Sequence, residues 1–98
     1  MTLLKKEQID REMRVVPDWT HHGKTLVRDF KLDDFLMSIA FVRRIAKRAE
    51  KFQHHPGILI QYDRVTLTFT TEDADGLTEK DFIMAEECDK IYANFLEP

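Results

Sequence analysis

The sequence predicts an α+β domain of two layers, in which three helices cover one face of a four-stranded antiparallel sheet. Three observations lead to this fold class. An amphipathic helix occupies the middle of the chain, a pair of short strands lies on each side of it, and a further helix lies near each end. Short turns between strands favour antiparallel pairing, and the helices then cover one face of the sheet. The expected order of elements is α-β-β-α-β-β-α.

The first helix is predicted over about residues 4–15. Ile9, Met13 and Val16 lie on one stripe among lysine and glutamate residues, which is the spacing of an amphipathic helix. Pro17 ends this helix, because proline lacks a backbone donor and its ring clashes with the preceding turn.

The first pair of strands is predicted over residues 19–21 and 25–31, around the turn His22-Gly23-Lys24. Successive side chains of a strand point to opposite faces of a sheet. One face of the second strand therefore carries Leu26, Arg28, Phe30 and Leu32. The arginine in this series makes the apolar alternation imperfect.

The central helix is predicted from an N-cap at Asp33 to about Lys51. An aspartate at the N-cap accepts a hydrogen bond from a free amide of the first turn, and Asp34 is favourable beside the positive end of the helix dipole. Apolar residues recur along the helix at spacings of three or four, which predicts a buried stripe. The stripe consists of Phe35, Ile39, Val42, Ala46 and Ala49.

The second pair of strands is predicted over residues 58–62 and 65–69, with a tight turn at Asp63-Arg64. In the later strand apolar residues alternate with threonines, which indicates one buried face and one polar face. Asp75-Gly76 marks a further turn. The segment from Thr78 to Asp81 matches a capping box at the start of the last helix. The apolar residues of that helix include Phe82, Ala85, Ile91, Tyr92 and Phe95.

Composition favours a single globular domain over residues 1–98. The chain is 43% hydrophobic and 34% charged, as expected for a globular protein and not for a disordered one. A domain of this size buries only about two-thirds of its unfolded surface, so oligomerisation would add stability. No apolar run approaches the roughly 20 residues that span a bilayer, and the N-terminus lacks the features of a signal peptide.

Charge and cysteine usage limit the expected partners and location. The formal net charge is −3, with acidic and basic residues interspersed. The densest basic cluster, Arg43-Arg44 with Lys47-Arg48, has helical spacing and is more typical of a solvated helix face than of a nucleic-acid surface. Cys88 is the one cysteine, so it has no internal disulfide partner, which favours the reducing cytoplasm.

The candidate site is His54-His55-Pro56 at the end of the central helix, with Glu50 one helical turn before His54. Histidine can both give and take a proton near neutral pH. Glu50 is placed to orient the His54 ring, and a histidine held in this way can protonate a leaving hydroxyl or remove a proton from nitrogen.

Residue chemistry alone leaves two alternatives open for this segment. One is a polar turn that merely ends the helix, which is also our interpretation of His21-His22. The other is a metal site, because Glu50 and His54 at this spacing can chelate an ion, although no cysteine or second spaced histidine pair completes a ligand set.

The same segment resembles the signature of the pterin-4a-carbinolamine dehydratase family. Glu50, His54-His55-Pro56, Tyr62 and Asp81 fall at the spacings of the family's motif. The series Gly76-Leu77-Thr78 also resembles a glycine-leucine-threonine segment of the family.

The similarity covers the chain from Trp19 to the last helix, and two positions depart from the family. Glu72 stands where a third histidine, or a tryptophan, is usual. Gly57-Ile58 stands where Glu-Trp is usual. The first departure removes an imidazole expected in the pocket, and the second removes an aromatic wall.

The resemblance implies a dehydratase that removes water from 4a-hydroxytetrahydropterin, giving quinonoid dihydropterin during the recycling of tetrahydrobiopterin. Neither a metal nor another cofactor is implied. His54 would be the principal acid–base group, His55 would orient the pterin, and Glu72 would act as a secondary base or an anchor. Glu50, Pro56 and Asp81 would support the site.

The resemblance also implies a homotetramer, with the last helix as a natural interface, and it leaves two other functions open. One is a non-catalytic module that binds a pterin or stabilises a partner, since family members serve as dimerisation cofactors of a transcription factor. The other is a role in a different pterin pathway, such as molybdopterin metabolism.

Overall fold

The computed structural model describes residues 2–96, and its elements follow the predicted order. The helices are α1 (Lys6–Met13), α2 (Phe35–Phe52) and α3 (Glu79–Leu96), and the strands are β1 (Thr20–His22), β2 (Thr25–Lys31), β3 (Gly57–Gln61) and β4 (Arg64–Phe69). A short 3₁₀ helix, Glu72–Ala74, precedes α3. All strand pairs are antiparallel, and the spatial order is β1-β2-β4-β3. The predicted fold class is therefore confirmed. The terminal residues 1, 97 and 98 of the predicted domain lie outside the described part.

One face of the sheet carries the hydrophobic core. Leu26 of β2 pairs with Phe69 of β4, and Phe30 pairs with Val65; all four side chains are fully buried. Helix α2 contacts β3 and β4, whereas α3 contacts β2. The threonines of β4 alternate with its buried residues and point to the opposite, open face.

Arg28 interrupts the apolar series of β2 because it forms an internal ion pair. Its guanidinium donates to the Oδ1 atom of Asp89 in α3 at 2.6 Å, and the Trp19 indole donates to the same oxygen at 2.8 Å. Burial raises the pKa of the Asp89 carboxyl, although the bonds from Trp19 and Arg28 oppose that shift. The imperfect alternation in the sequence thus marks a polar contact between sheet and helix.

The buried stripe of α2 differs from the predicted one, which was wrong for most of its length. The fully buried residues of the helix are Ser38, Phe41, Ile45 and Ala49. Of the predicted stripe, Phe35, Ile39 and Ala46 are exposed and Val42 is partly buried. Both sets have helical spacing, and the aromatic contacts of Phe41 with core rings decide which one faces inward. Phe35, Leu36 and Ile39 consequently form an exposed apolar patch, called here the α2 apolar patch.

Helix α1 is shorter than predicted. The backbone of Leu4 is tied to Leu77 by an N–H···O bond of 2.9 Å, so the chain enters α1 only at Lys6. At the other end, Val16 is buried beyond the helix, which stops at Met13.

The N-cap of α2 is Asp34 and not Asp33. The Oδ1 atom of Asp34 accepts a hydrogen bond from the Met37 amide at 2.8 Å. The turn between β3 and β4 is also displaced by one residue from the prediction. Gln61 pairs with Arg64, so the turn consists of Tyr62-Asp63.

Tyr62, which matches the family's motif in the sequence, lies in this turn and does not pack against the core. It lies in the left-handed region, with φ of 55°, and it is 66% exposed. In the left-handed region the turn sends the side chain away from the core.

Helix α3 buries or partly buries all five of its predicted apolar residues. Cys88 lies on the same buried face as a free thiol. Burial raises the pKa of that thiol far above its ordinary value. Across residues 2–96, no helix is long and apolar enough to cross a membrane.

Candidate active site

A cleft of about 640 Å³ opens where the end of α2 meets the end of β4 and the start of α3. Four predicted site residues line it: His54, His55, Pro56 and Glu72. Sequence reasoning missed six others with polar side chains: Gln53, Thr68, Thr70, Thr71, Asp73 and Lys80. Thr68 and Thr70 belong to the alternation of threonines with apolar residues along β4 and just after it, which predicted a polar face but not a ligand site.

The turn that ends α2 directs the two histidines. Gln53 is left-handed, with φ of 51° and ψ of 45°. The His54 amide donates to the Ala49 carbonyl at 3.1 Å, and the Gln53 amide donates to the Glu50 carbonyl at 3.3 Å. This pair of bonds is the Schellman pattern, which satisfies the free carbonyls of a helix end. The backbone of His54 is thereby tied to the helix, although its side chain lies beyond the helical surface.

His54 is the buried member of the histidine pair. Its Nε2 atom lies 2.6 Å from the Oδ1 atom of Asp81. The His54 side chain is 11% exposed and Asp81 is fully buried. The imidazole also stacks on the Phe69 ring, with centroids 5.9 Å apart and planes 12° apart. Two independent contacts therefore hold this ring in place.

The second ring nitrogen of His54, Nδ1, is not completely buried. Within residues 2–96, no buried side-chain nitrogen or oxygen lacks a hydrogen-bond partner. Nδ1 of His54 forms no hydrogen bond to that part of the chain, so it is not among the buried atoms. Because His54 lines the cleft, the arrangement offers one oriented imidazole nitrogen for proton transfer to a bound molecule.

Asp81 has two functions at once. Its Oδ2 atom accepts a hydrogen bond from the Thr78 amide at 2.9 Å, which is one half of the predicted capping box. The same atom accepts a bond from the Thr71 hydroxyl at 2.8 Å. Asp81 thus caps α3 with one oxygen and holds His54 with the other.

His55 and Glu50 form a separate pair at the surface. The Nε2 atom of His55 contacts the Oε2 atom of Glu50, and the two side chains are 55% and 72% exposed. The expected contact of Glu50 with His54 is absent, because the left-handed residue Gln53 takes His54 off the helical face that carries Glu50. The orienting carboxylate of His54 is Asp81.

Glu72 reaches the cleft through a closed loop. The Thr71 amide donates to the Gly76 carbonyl at 3.0 Å, and the Gly76 amide donates back at 3.3 Å. The 3₁₀ helix Glu72–Ala74 lies inside this loop, and the Glu72 side chain is exposed. In the described part of the chain, no group of three or more His, Cys, Asp or Glu side chains is arranged to hold a metal ion.

Known proteins show the same sequence pattern. A profile of the family described as "Pterin 4 alpha carbinolamine dehydratase" matches residues 2–91. A protein of Chloroflexus aurantiacus with the provisional name pterin-4-alpha-carbinolamine dehydratase is 45% identical over 91 residues, covering 93% of this chain and 98% of that protein. A protein of Mycobacterium leprae with the same provisional name is 42% identical, covering 93% of this chain and 97% of its own length.

Solved structures show the same fold. The crystal structure of a transcriptional coactivator/pterin dehydratase from Brucella melitensis matches with a TM-score of 0.89 and 30% identity, over 93% of this chain and 99% of that chain. A pterin dehydratase-like protein identified as a RuBisCO assembly factor in the alpha-carboxysome matches with a TM-score of 0.64, over 76% of this chain and 86% of that chain. Its 20% identity shows likeness of fold alone. On the profile match and the close relatives, this chain belongs to the pterin 4 alpha carbinolamine dehydratase family.

Proposed function

We propose that the chain is a dehydratase that eliminates water from 4a-hydroxytetrahydropterin and releases quinonoid dihydropterin. One observation carries the proposal: the His54 imidazole lines the cleft and is held through Nε2 by the buried carboxylate of Asp81, while its Nδ1 atom forms no hydrogen bond within residues 2–96. Membership of the family supports the choice of substrate class.

The reaction needs only proton transfers. A proton leaves N5 of the pterin, the bond between C4a and its hydroxyl breaks, and a proton joins the departing hydroxyl to form water. The electron pair of the N5–H bond becomes the second bond between N5 and C4a. A positioned acid–base group accelerates such steps by about 10² to 10⁴-fold.

His54 is the principal acid–base group in this proposal. In its neutral form Nδ1 takes the N5 proton, and in its protonated form Nδ1–H delivers a proton to the leaving hydroxyl. Asp81 supports both forms, because its Oδ1 atom accepts from Nε2 and stabilises the positive imidazolium. Rigid placement by Asp81 and Phe69 lowers the entropic cost of bringing the ring to the substrate.

The more exposed residues hold and orient the pterin. His55, with Glu50 behind it, donates or accepts hydrogen bonds at the rim, and Pro56 stiffens the turn that presents both histidines. Glu72 acts as a secondary base or as an anchor for a ring N–H. A cleft of about 640 Å³ is within the usual range for sites that bind small molecules.

We further assign the reaction to tetrahydrobiopterin recycling in the cytoplasm, carried out by a homo-oligomer, either a dimer or a tetramer. The α2 apolar patch supports association, because exposed apolar surface of this kind is stabilised when a partner covers it. Helix α3 supports it less well than expected from the sequence, since most of its apolar residues already face the core.

The direct test is the dehydration of chemically generated 4a-carbinolamine, followed against the spontaneous rate. Wild-type chain should accelerate the reaction, and His54→Ala should lose about 10² to 10⁴-fold of the acceleration. His22→Ala is the matched control, because His22 is exposed in β1 and lies outside the cleft. An unchanged rate in His54→Ala would remove His54 from the mechanism.

A second candidate is a non-catalytic module that binds a pterin or stabilises a protein partner. Glu72 favours it, since the resemblance expects an imidazole at this position in the cleft. The Brucella melitensis relative is described as a transcriptional coactivator as well as a pterin dehydratase. This candidate predicts pterin binding by the wild-type chain without acceleration of dehydration.

Glu72→His separates the two candidates. If the variant is about tenfold or more faster than wild type, the chain is a weakened or redirected dehydratase. In that case the substrate of another pterin pathway, such as molybdopterin metabolism, should be compared in the binding assay. If neither chain accelerates the reaction, the non-catalytic candidate is favoured.

A further inference from the structure

A chain of two hydroxyl groups lies behind the buried carboxylate of Asp81. The Thr71 hydroxyl is 2.8 Å from Oδ2 of Asp81, and the Thr78 hydroxyl is 2.8 Å from the Thr71 hydroxyl. Both threonines are buried. The series therefore runs from Thr78 through Thr71 and Asp81 to the imidazole of His54. Of these four residues, Thr71 and His54 line the cleft, whereas Thr78 and Asp81 do not.

The number of available protons determines which group donates and which accepts in each hydrogen bond of this series. A carboxylate only accepts hydrogen bonds, and a hydroxyl has one proton to donate. Thr71 therefore donates to Asp81, and its oxygen accepts the proton of the Thr78 hydroxyl. Oδ2 is then occupied by two donors, the Thr71 hydroxyl and the Thr78 amide.

The same count determines the tautomer of His54. The remaining oxygen of Asp81, Oδ1, also accepts only, so the Nε2 atom that contacts it must carry a proton. In the neutral imidazole the proton is on Nε2, and the lone pair is on Nδ1. Nδ1, the ring nitrogen without a hydrogen-bond partner within residues 2–96, is therefore the one able to accept a proton.

We infer that the hydroxyls of Thr71 and Thr78 are positioning groups, which keep Asp81 in the orientation that selects the Nε2–H tautomer of His54. Without the Thr71 hydroxyl, Oδ2 keeps only the Thr78 amide, and the carboxylate can rotate away from Nε2. His54 then also populates the Nδ1–H tautomer, which presents a donor and no base to the cleft. The catalytic consequence rests on the proposed function, whereas the tautomer does not.

The tautomer is measured directly by ¹⁵N NMR of the full-length chain, at a pH where histidines are neutral. Wild-type His54 is expected as the Nε2–H form. Thr71→Val keeps the shape of the side chain and removes the hydroxyl, so the Nδ1–H form should become detectable. Thr71→Ser restores the hydroxyl and should restore the wild-type spectrum. Thr66→Val is the matched control, because Thr66 also donates to a carboxylate, that of Asp29 at 2.6 Å, but on the open face of the sheet.

The dehydration assay supplies the second readout. Thr71→Val should lower kcat about tenfold, which corresponds to one hydrogen bond to a charged group, with little change of KM. Thr71→Ser should recover most of the loss. Thr78→Val should have a smaller effect than Thr71→Val, since the bond from Thr71 to Asp81 remains.

Three results would overturn the inference. One is an Nδ1–H form of His54 in the wild-type chain, and another is an unchanged spectrum in a folded Thr71→Val variant. The third is a Thr78→Val variant whose His54 spectrum or kcat equals that of the Thr66→Val control. This third result decides the matter if Thr71→Val does not fold. If the wild-type chain lacks dehydratase activity but the spectra change as expected, the proposed function fails and the positioning role stands.

Discussion

Two neighbouring histidines meet carboxylates in opposite surroundings. His54 contacts Asp81 within the core, where the carboxylate accepts two further hydrogen bonds. His55 contacts Glu50 at the surface, where both side chains are more than half exposed. The two histidines are adjacent in the sequence, but 27 positions separate His54 from its partner and only 5 separate His55 from Glu50.

The difference indicates which of the two carboxylates, Asp81 or Glu50, holds its imidazole rigidly. An exposed ion pair contributes about 0–1 kcal/mol and is weakened by salt. Breaking a buried, fully hydrogen-bonded charge costs about 3–5 kcal/mol, because its partners are left unpaired. The pair at Asp81 is therefore the one able to keep a ring in place while a substrate enters and leaves.

The largest expected effect comes from Asp81→Asn, which breaks the buried side of the comparison. An amide cannot accept at both of its ends, so His54 or the two Oδ2 donors lose their partner. The free energy of unfolding should fall by about 3 kcal/mol, measured by urea denaturation. The proposed dehydration rate should fall at least about 10²-fold.

Asp29→Asn is the control for that change, since Asp29 is an exposed carboxylate that accepts from Thr66. Its free energy of unfolding should stay within about 1 kcal/mol of wild type. If Asp81→Asn were as stable as this control, the contrast between the buried and the exposed pair would be lost.

A smaller effect is expected at the turn that separates the two pairs. Gln53 is left-handed, a conformation that costs a residue with a Cβ atom roughly 1 kcal/mol and costs glycine little. Gln53→Gly removes this cost, but it also removes the 2.7 Å hydrogen bond from the Gln53 side chain to the Glu50 carbonyl. The net result should be a rise of about 0.5 kcal/mol in the free energy of unfolding.

Lys51→Gly is the matched control for the turn. Lys51 is exposed within α2, and glycine inside a helix costs about 1 kcal/mol. In thermal or urea unfolding, Gln53→Gly should be more stable than wild type and Lys51→Gly should be less stable. Equal destabilisation by both would mean that the turn is not left-handed.

The smallest expected effect is that of Glu50→Gln, which weakens only the exposed pair. The free energy of unfolding should change by less than about 0.5 kcal/mol, and kcat should be nearly unchanged. Raising the salt concentration should make the variant and wild type converge. A loss as large as that of Asp81→Asn would show that exposure is a poor guide to the importance of these contacts.

The order of elements was predictable because local signals and tertiary contacts agree along most of the chain. The threonine alternation in β4 and the capping box before α3 have direct counterparts in the structure. The turn at Tyr62-Asp63 was misplaced by one residue, because a tyrosine carries no signal for a left-handed conformation. The cap at Asp34 was misplaced because two adjacent aspartates are equally suitable.

The buried face of α2 was not predictable from spacing. The helix has apolar residues around more than half of its circumference, and Phe41 is selected by rings from β2 and α3. The residues displaced to the surface form the α2 apolar patch. Periodicity identifies a helix reliably, but tertiary contacts choose the face when more than one is apolar.

Four of the predicted site residues line the candidate cleft, but nothing in the sequence indicated their contacts or the six other polar residues beside them. His54 was singled out by its residue chemistry and Asp81 through the resemblance, yet no local pattern joins two residues 27 positions apart in sequence. Thr71 carried no signal in the sequence, and Thr78 carried only those of a capping residue and of the family segment. The contact between their hydroxyls forms only when the loop between them closes. Hydrogen-bond direction, and with it the tautomer of His54, follows only from the assembled group.

The reactivity of the Cys88 thiol reports transient opening of the core. It is the single cysteine of the chain, it is fully buried on α3, and burial keeps its thiol protonated. A thiol in this state reacts with a disulfide reagent only after α3 has moved away from the sheet. The rate at which Cys88 is labelled in the unmodified chain therefore measures transient opening at α3, the helix that also carries Asp81, without any introduced probe.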